Sequence, residues 1–116
     1  MAGQFIEKHT KAANATELLG IIRKAINDRM RLVIDYAPGL RTIEPHALGI
    51  SADGSYLLRA YQTKGPSSSK EETGWKLFRL DKFNSLAVAE VDRFGISRPG
   101  YRKDDSAMPS GIIAQL

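Results

Sequence analysis

The hydrophobic period of this chain changes once, near residue 30, and that change limits the fold more than any other feature. Before it, Leu18, Leu19, Ile21, Ile22, Ala25 and Ile26 recur at helical spacing. Asn14 followed by Glu17 supplies an N-cap with an acid at its third position. Lys24 and Arg29 suit the negative end of the helix dipole. The spacing predicts a helix over 15–28, with Gly20 costing about 1 kcal/mol relative to alanine. Beyond it the period is two. Leu32, Val33, Ile34 and Tyr36 mark a first strand, and Ala37-Pro38-Gly39 a turn. A second strand runs over 41–50, where Pro45 requires an edge or a bulge. Asp53-Gly54 is a hairpin turn, and a third strand covers 55–62. Residues 64–73, rich in Ser and Gly, form a polar loop expected to be mobile and to border the site. A fourth strand is expected over 75–80 and a fifth over 84–90. One helix followed by five short strands argues for a mainly β domain, a small five-stranded barrel with one N-terminal helix packed on it. A barrel of this size fills its interior with side chains, so a ligand sits on an outer face or at a mouth.

A chain of 116 residues is one folding unit. Residues 1–14 read as a flexible N-terminal segment, 15–90 as the helix and barrel, and 91–116 as a basic extension. Its apolar end, Ile112-Ile113-Ala114-Gln115-Leu116, is expected to dock on the barrel or on another subunit. Without cysteine there is no disulfide, thiolate metal site or cysteine nucleophile. No apolar run approaches the roughly 20 residues of a membrane span, and the N-terminus has no secretory core. The expected location is the cytoplasm. The net charge of +4 is a mild bias toward anionic partners, concentrated in Arg93, Arg98, Arg102 and Lys103 of the acid-free stretch 93–103.

The run GWKLFRLD, 74–81, interleaves aromatic, basic and aliphatic side chains. Strand alternation puts Trp75, Leu77 and Arg79 on one face and Lys76, Phe78 and Leu80 on the other. An arginine beside aromatics suits an anion that carries a flat ring, such as a nucleotide or nucleic acid. The same residues also suit an ordinary half-exposed strand.

Four blocks in order, IIRKAINDRMRLVIDY (21–36), RTIEPHALGIS (41–51), YLLRAYQ (56–62) and GWKLFRLDKFNSL (74–86), resemble the WYL domain. This is a small Sm-like, SH3-like barrel of bacterial regulators. The resemblance implies a ligand-sensing module, in several cases one linked to nucleotide or single-stranded nucleic acid binding. By motif it points to Tyr36, to Arg41 and His46 of the RxIxPH run, to Arg59 and Tyr61, and to Trp75 and Arg79. Arg41, Arg59 and Arg79 are expected in one patch with Tyr61 or Trp75 beside them. Most such proteins carry a winged helix-turn-helix before the barrel. The stretch before the first strand here holds a single helix, which suggests a stand-alone domain without major-groove readout.

Glu71-Glu72 and Asp104-Asp105 lack the spacing of a metal loop or an acid/base pair. Ser67-Ser68-Ser69 has no general base near it in sequence, and neither a phosphate-binding glycine loop nor a zinc motif is present. The expectation is a non-enzymatic module without a cofactor. It binds a nucleotide or single-stranded nucleic acid and takes no part at a membrane. The alternative is a protein–protein or self-assembly module, in which exposed strand edges pair between subunits.

Overall fold

The computed structural model describes residues 7–11 and 14–116. Its elements are β1 (Glu7–Lys11), α1 (Ala15–Asp28), β2 (Met30–Tyr36), β3 (Gly39–Ile50), β4 (Tyr56–Lys64), β5 (Gly74–Arg79), β6 (Ser85–Arg93) and β7 (Gly111–Gln115). The helix begins where its cap requires: Asn14 is extended, and its side-chain oxygen accepts the Glu17 amide at 2.8 Å. It ends at Arg29, which adopts the left-handed conformation (φ 58°) and returns its amide to Ile26 O.

The protein is mainly β with one helix near its N-terminus, and its strands form one antiparallel sheet in the order β1-β6-β2-β3-β4-β5. The strand β7 lies beside the second half of β3. Two expectations are corrected here. Seven strands are present among the described residues rather than five, and the sheet is open, with β1 at one edge and β5 at the other. The two added strands come from the segments read as lead-in and extension. Glu7–Lys11 pairs with β6, and the apolar end of the chain docks on β3 of the same molecule.

Alternation sorts the sheet into two faces. Leu32, Ile34, Ile43, Leu48, Leu58, Phe78 and Leu86 point to one side and pack with Leu18, Ile22 and Ile26 of α1 in the main core. Complete burial of each such aliphatic side chain contributes about 1.5–3 kcal/mol. The other face is covered instead by the chain between β6 and β7. There Met108 packs with Ala47 and Leu57 in a smaller cluster bordered by Tyr101, Ala107 and Ile112. Gly49 makes this approach possible. A Cβ on it would stand 2.6 Å from Gly111 O and 2.7 Å from Met108 Sδ.

Of the edge or bulge expected at Pro45, the structure has a bulge, as the β3–β4 register shifts between Pro45 and Ala47. The loop after β4 is tied to the sheet at two points. The buried Gln62 amide donates to Gly65 O, Pro66 O and Glu72 O, and Lys76 Nζ donates to Ser67 Oγ, Ser69 Oγ and Glu71 O.

Candidate functional site

The outer face of β4 and β5 carries Leu57, Arg59 and Tyr61 opposite Arg79, Leu77 and Trp75. The same alternation that buries Leu58, Ala60 and Phe78 aims these six outward. Segment 94–110 crosses them. Arg98 lays its guanidinium over the Tyr61 ring, 4.6 Å from its centroid. Trp75 Nε1 donates to Pro99 O at 3.0 Å. Tyr101 stacks near Trp75, with centroids 6.1 Å apart and planes at 25°. Asp105 forms a two-point ion pair with Arg59, 2.7 Å to Nε and 3.3 Å to Nη2. Between sheet and segment lies a cleft of about 480 Å³, lined by Arg59, Trp75, Tyr101, Arg102, Lys103 and Asp105 among others.

Beneath the cleft is a buried polar cluster. Glu44 is 1% exposed and lies between two arginines. Arg98 donates to it from Nε (2.7 Å) and Nη2 (3.1 Å), and Arg31 donates from Nε (3.0 Å), with its Nη2 in ion-pair contact at 2.9 Å. Arg31 also pairs with Asp92. Burial pushes the Glu44 carboxyl up, but the hydrogen bonds from Arg98 and Arg31 outweigh it and hold the group below its ordinary range. His46, fully buried, stacks on Phe94 and meets Trp75 edge-on at 4.7 Å. Its Nε2 accepts the Arg98 amide at 3.1 Å, which places the proton on Nδ1, donating to Glu44 O at 2.8 Å. Burial pushes the His46 imidazole below its ordinary pKa. The Arg59 hydrogen bond lowers the Asp105 carboxyl in the same way as Arg31 and Arg98 lower Glu44.

Of the seven residues singled out from the sequence, four gather here. Arg59 and Trp75 line the cleft, Tyr61 meets Trp75 edge-on at 5.6 Å, and His46 supports Trp75 from below. Tyr36 and Arg79 lie at a neighbouring cleft of about 680 Å³ that also includes Ser51, Ser55, Leu77 and Lys82. There the Arg79 amide donates to the Tyr36 hydroxyl at 3.2 Å, and the Arg79 guanidinium is paired with Asp81.

Arg41 is elsewhere. It is 4% exposed and donates to Tyr36 O at 2.9 Å, to Ala37 O, and to Gln62 Oε1 at 3.3 Å. The expected single patch of Arg41, Arg59 and Arg79 is therefore corrected. Arg41 stands opposite Ile34 and shares its inward parity, whereas Arg59 and Arg79 have the outward parity of their strands and line separate clefts. Desolvation lowers the Arg41 pKa.

Sequence reasoning missed Glu44, Arg98, Tyr101 and Asp105. The basic excess of 93–103 was the one available signal, and it marks the segment that crosses the site. Among the described residues no group of three or more acidic or histidine side chains could hold a metal ion. No described helix is long and apolar enough to cross a membrane.

A family model for the WYL domain matches residues 17–88, more than half of the chain. Comparisons with curated proteins and with solved structures gave no match.

Proposed function

The chain belongs to the WYL domain family, whose domains are generally ligand-sensing and regulatory rather than catalytic, and from that premise we propose a non-enzymatic sensor of a nucleotide or of single-stranded nucleic acid. The observation that carries this reading is the cleft between β4–β5 and segment 94–110. Arg59, Arg102 and Lys103 supply cationic donors at its wall, and Trp75 and Tyr101 supply ring faces. Its volume of about 480 Å³ is within the range of small-molecule sites. A guanidinium offers paired donors to a phosphate, and an aromatic face stacks on an unpaired base regardless of its identity. A base held within a duplex cannot stack on a side chain in this way.

Trp75 is the single tryptophan, so its emission reports directly on the cleft. The test is anisotropy with a labelled single strand, a duplex and a labelled nucleotide at two salt concentrations, read beside Trp75 fluorescence. We expect the single strand or the nucleotide to bind more tightly than the duplex, with Trp75 quenched. On a single strand the salt dependence has a slope of roughly −0.7 per neutralised phosphate. Arg59→Ala and Trp75→Ala each weaken binding by about 1–3 kcal/mol. Duplex binding as tight as single-strand binding, or wild-type affinity in both variants, would move the protein to the alternative of a protein-assembly module.

A further inference from the structure

Segment 94–110 contains no regular helix or strand, yet it is fixed firmly at both ends. At one end Phe94 is buried against His46, and Arg98 is paired with Glu44. At the other, Met108 is buried against Ala47 and Leu57, and the chain then enters β7. The stretch between these anchors is held differently. Pro99, Gly100, Arg102, Lys103, Asp104 and Ser106 are exposed, and side-chain contact with the sheet rests on Tyr101, on Asp105 and, through Gln115 of β7, on Asp104. Gly100 (φ 91°) and Asp104 (φ 57°) both adopt the left-handed conformation, so the stretch turns sharply at two points.

Asp105 presents two carboxylate oxygens to the Nε and Nη2 of Arg59, the fork that a phosphate group would also engage. The carboxylate belongs to the protein, and it occupies the one guanidinium that lines the Trp75 cleft from the sheet side. Resting on the ligand reading above, we infer that residues 99–106 are a self-inhibitory strap: Asp105 occupies the phosphate position on Arg59, and an anionic ligand must displace it. Binding then exchanges one anion for another on Arg59 and frees the strap between its anchors. Ligand occupancy is thereby converted into a changed surface at residues 99–106. The apparent affinity of the closed protein is reduced by the fraction of molecules in which Asp105 is disengaged.

The test pairs two substitutions that remove the same charge from the same cleft. Asp105→Asn releases Arg59. Asp104→Asn does not, since Asp104 bonds Gln115. The probe is a labelled single strand of about eight nucleotides, and strap opening is read by trypsin cleavage after Arg102 and Lys103 without ligand. We expect Asp105→Asn to bind the probe about three- to tenfold more tightly than wild type. It should also be cut faster at Arg102 and Lys103. Asp104→Asn should stay within about twofold of wild type in both measurements. Equal tightening in the two variants would reduce the effect to net charge and overturn the strap. So would binding by wild type with no gain in Asp105→Asn, and in both cases the ligand reading stands. If none of the proteins binds the probe or the labelled nucleotide while their circular dichroism is native, the ligand reading falls and the displacement step with it. Faster cleavage in Asp105→Asn would then show only that the ion pair fastens the segment.

Discussion

Replacing Glu44 by Gln tests how the outer face is held together. Glu44 is 1% exposed and accepts three hydrogen bonds from two guanidiniums at 2.7–3.1 Å. The amide keeps the shape but removes the charge, and it turns one acceptor into a donor facing arginine. Breaking a fully buried ion pair costs about 3–5 kcal/mol. Both arginines here reach solvent, with 23% and 38% of their side chains exposed, so part of that cost is recovered by hydration. The expected loss is about 2–3 kcal/mol, at and just below the lower end of that range. Urea unfolding followed by circular dichroism measures it, with an unchanged slope showing that the unfolded state is unaltered. The wild-type protein carries the same signature in its pH dependence. The folded Glu44 pKa lies below the unfolded value of about 4.3, so its stabilisation is complete above that value and is lost as pH falls through the folded pKa. Glu44→Gln lacks this component of the acid transition. A loss below about 0.5 kcal/mol, the size of an ordinary surface change, or an unaltered acid limb would refute the reasoning.

Arg41→Lys removes the fork that joins Tyr36 O, Ala37 O and Gln62, and is expected to cost about 1–3 kcal/mol in thermal or urea unfolding while leaving single-strand affinity within twofold. An affinity loss at full stability would return Arg41 to the binding face. Gly49→Ala forces a Cβ against Gly111 O, a backbone atom, and against Met108, and is expected to destabilise by about 1–3 kcal/mol; an unchanged midpoint would show that β7 can shift away freely. The His46 imidazole, followed by NMR, should titrate below its ordinary value of about 6.5, because folding favours its neutral form. For the same reason its contribution to stability declines as pH falls below the unfolded value, and a His46 midpoint at or above that value would contradict the assignment of Nε2 as acceptor.

How much could be read in advance depended on whether the signal was local. The helix over Ala15–Asp28 was legible because its cap and its apolar stripe lie within one short window. Strands β2 to β6 were legible because one of their faces is buried, which imposes alternation. Strand β1 was not: EKHTK carries no such pattern, and its place follows from backbone pairing with β6. The open sheet was equally hidden, because closure depends on whether two edge strands meet. At the site, residue type was a better guide than position. Arg59, Tyr61 and Trp75 were identified by the family resemblance, and Trp75 also by the parity of its strand. Arg41 drew the same reading although its parity turns it inward. Asp105, the partner of Arg59, and Arg98, one of the two partners of Glu44, lie 46 and 54 residues further along the chain, and no local pattern announces a contact of that separation.

Ile43 and Leu48 are both fully buried in the main core although they stand five places apart on one strand, an odd interval that would put them on opposite sides of an unbroken ladder. The register shift between Pro45 and Ala47 absorbs the difference. The centre of β3 therefore counts residues as well as selecting them. Inserting or deleting one residue between Thr42 and Leu48 would turn the strand beyond it inside out. Leu48 would be carried to the face beneath Met108 and Ala47 into the main core, while the partners of β4 and β7 stayed where they were. Variation in this stretch should accordingly be fixed in length as well as in its buried residues.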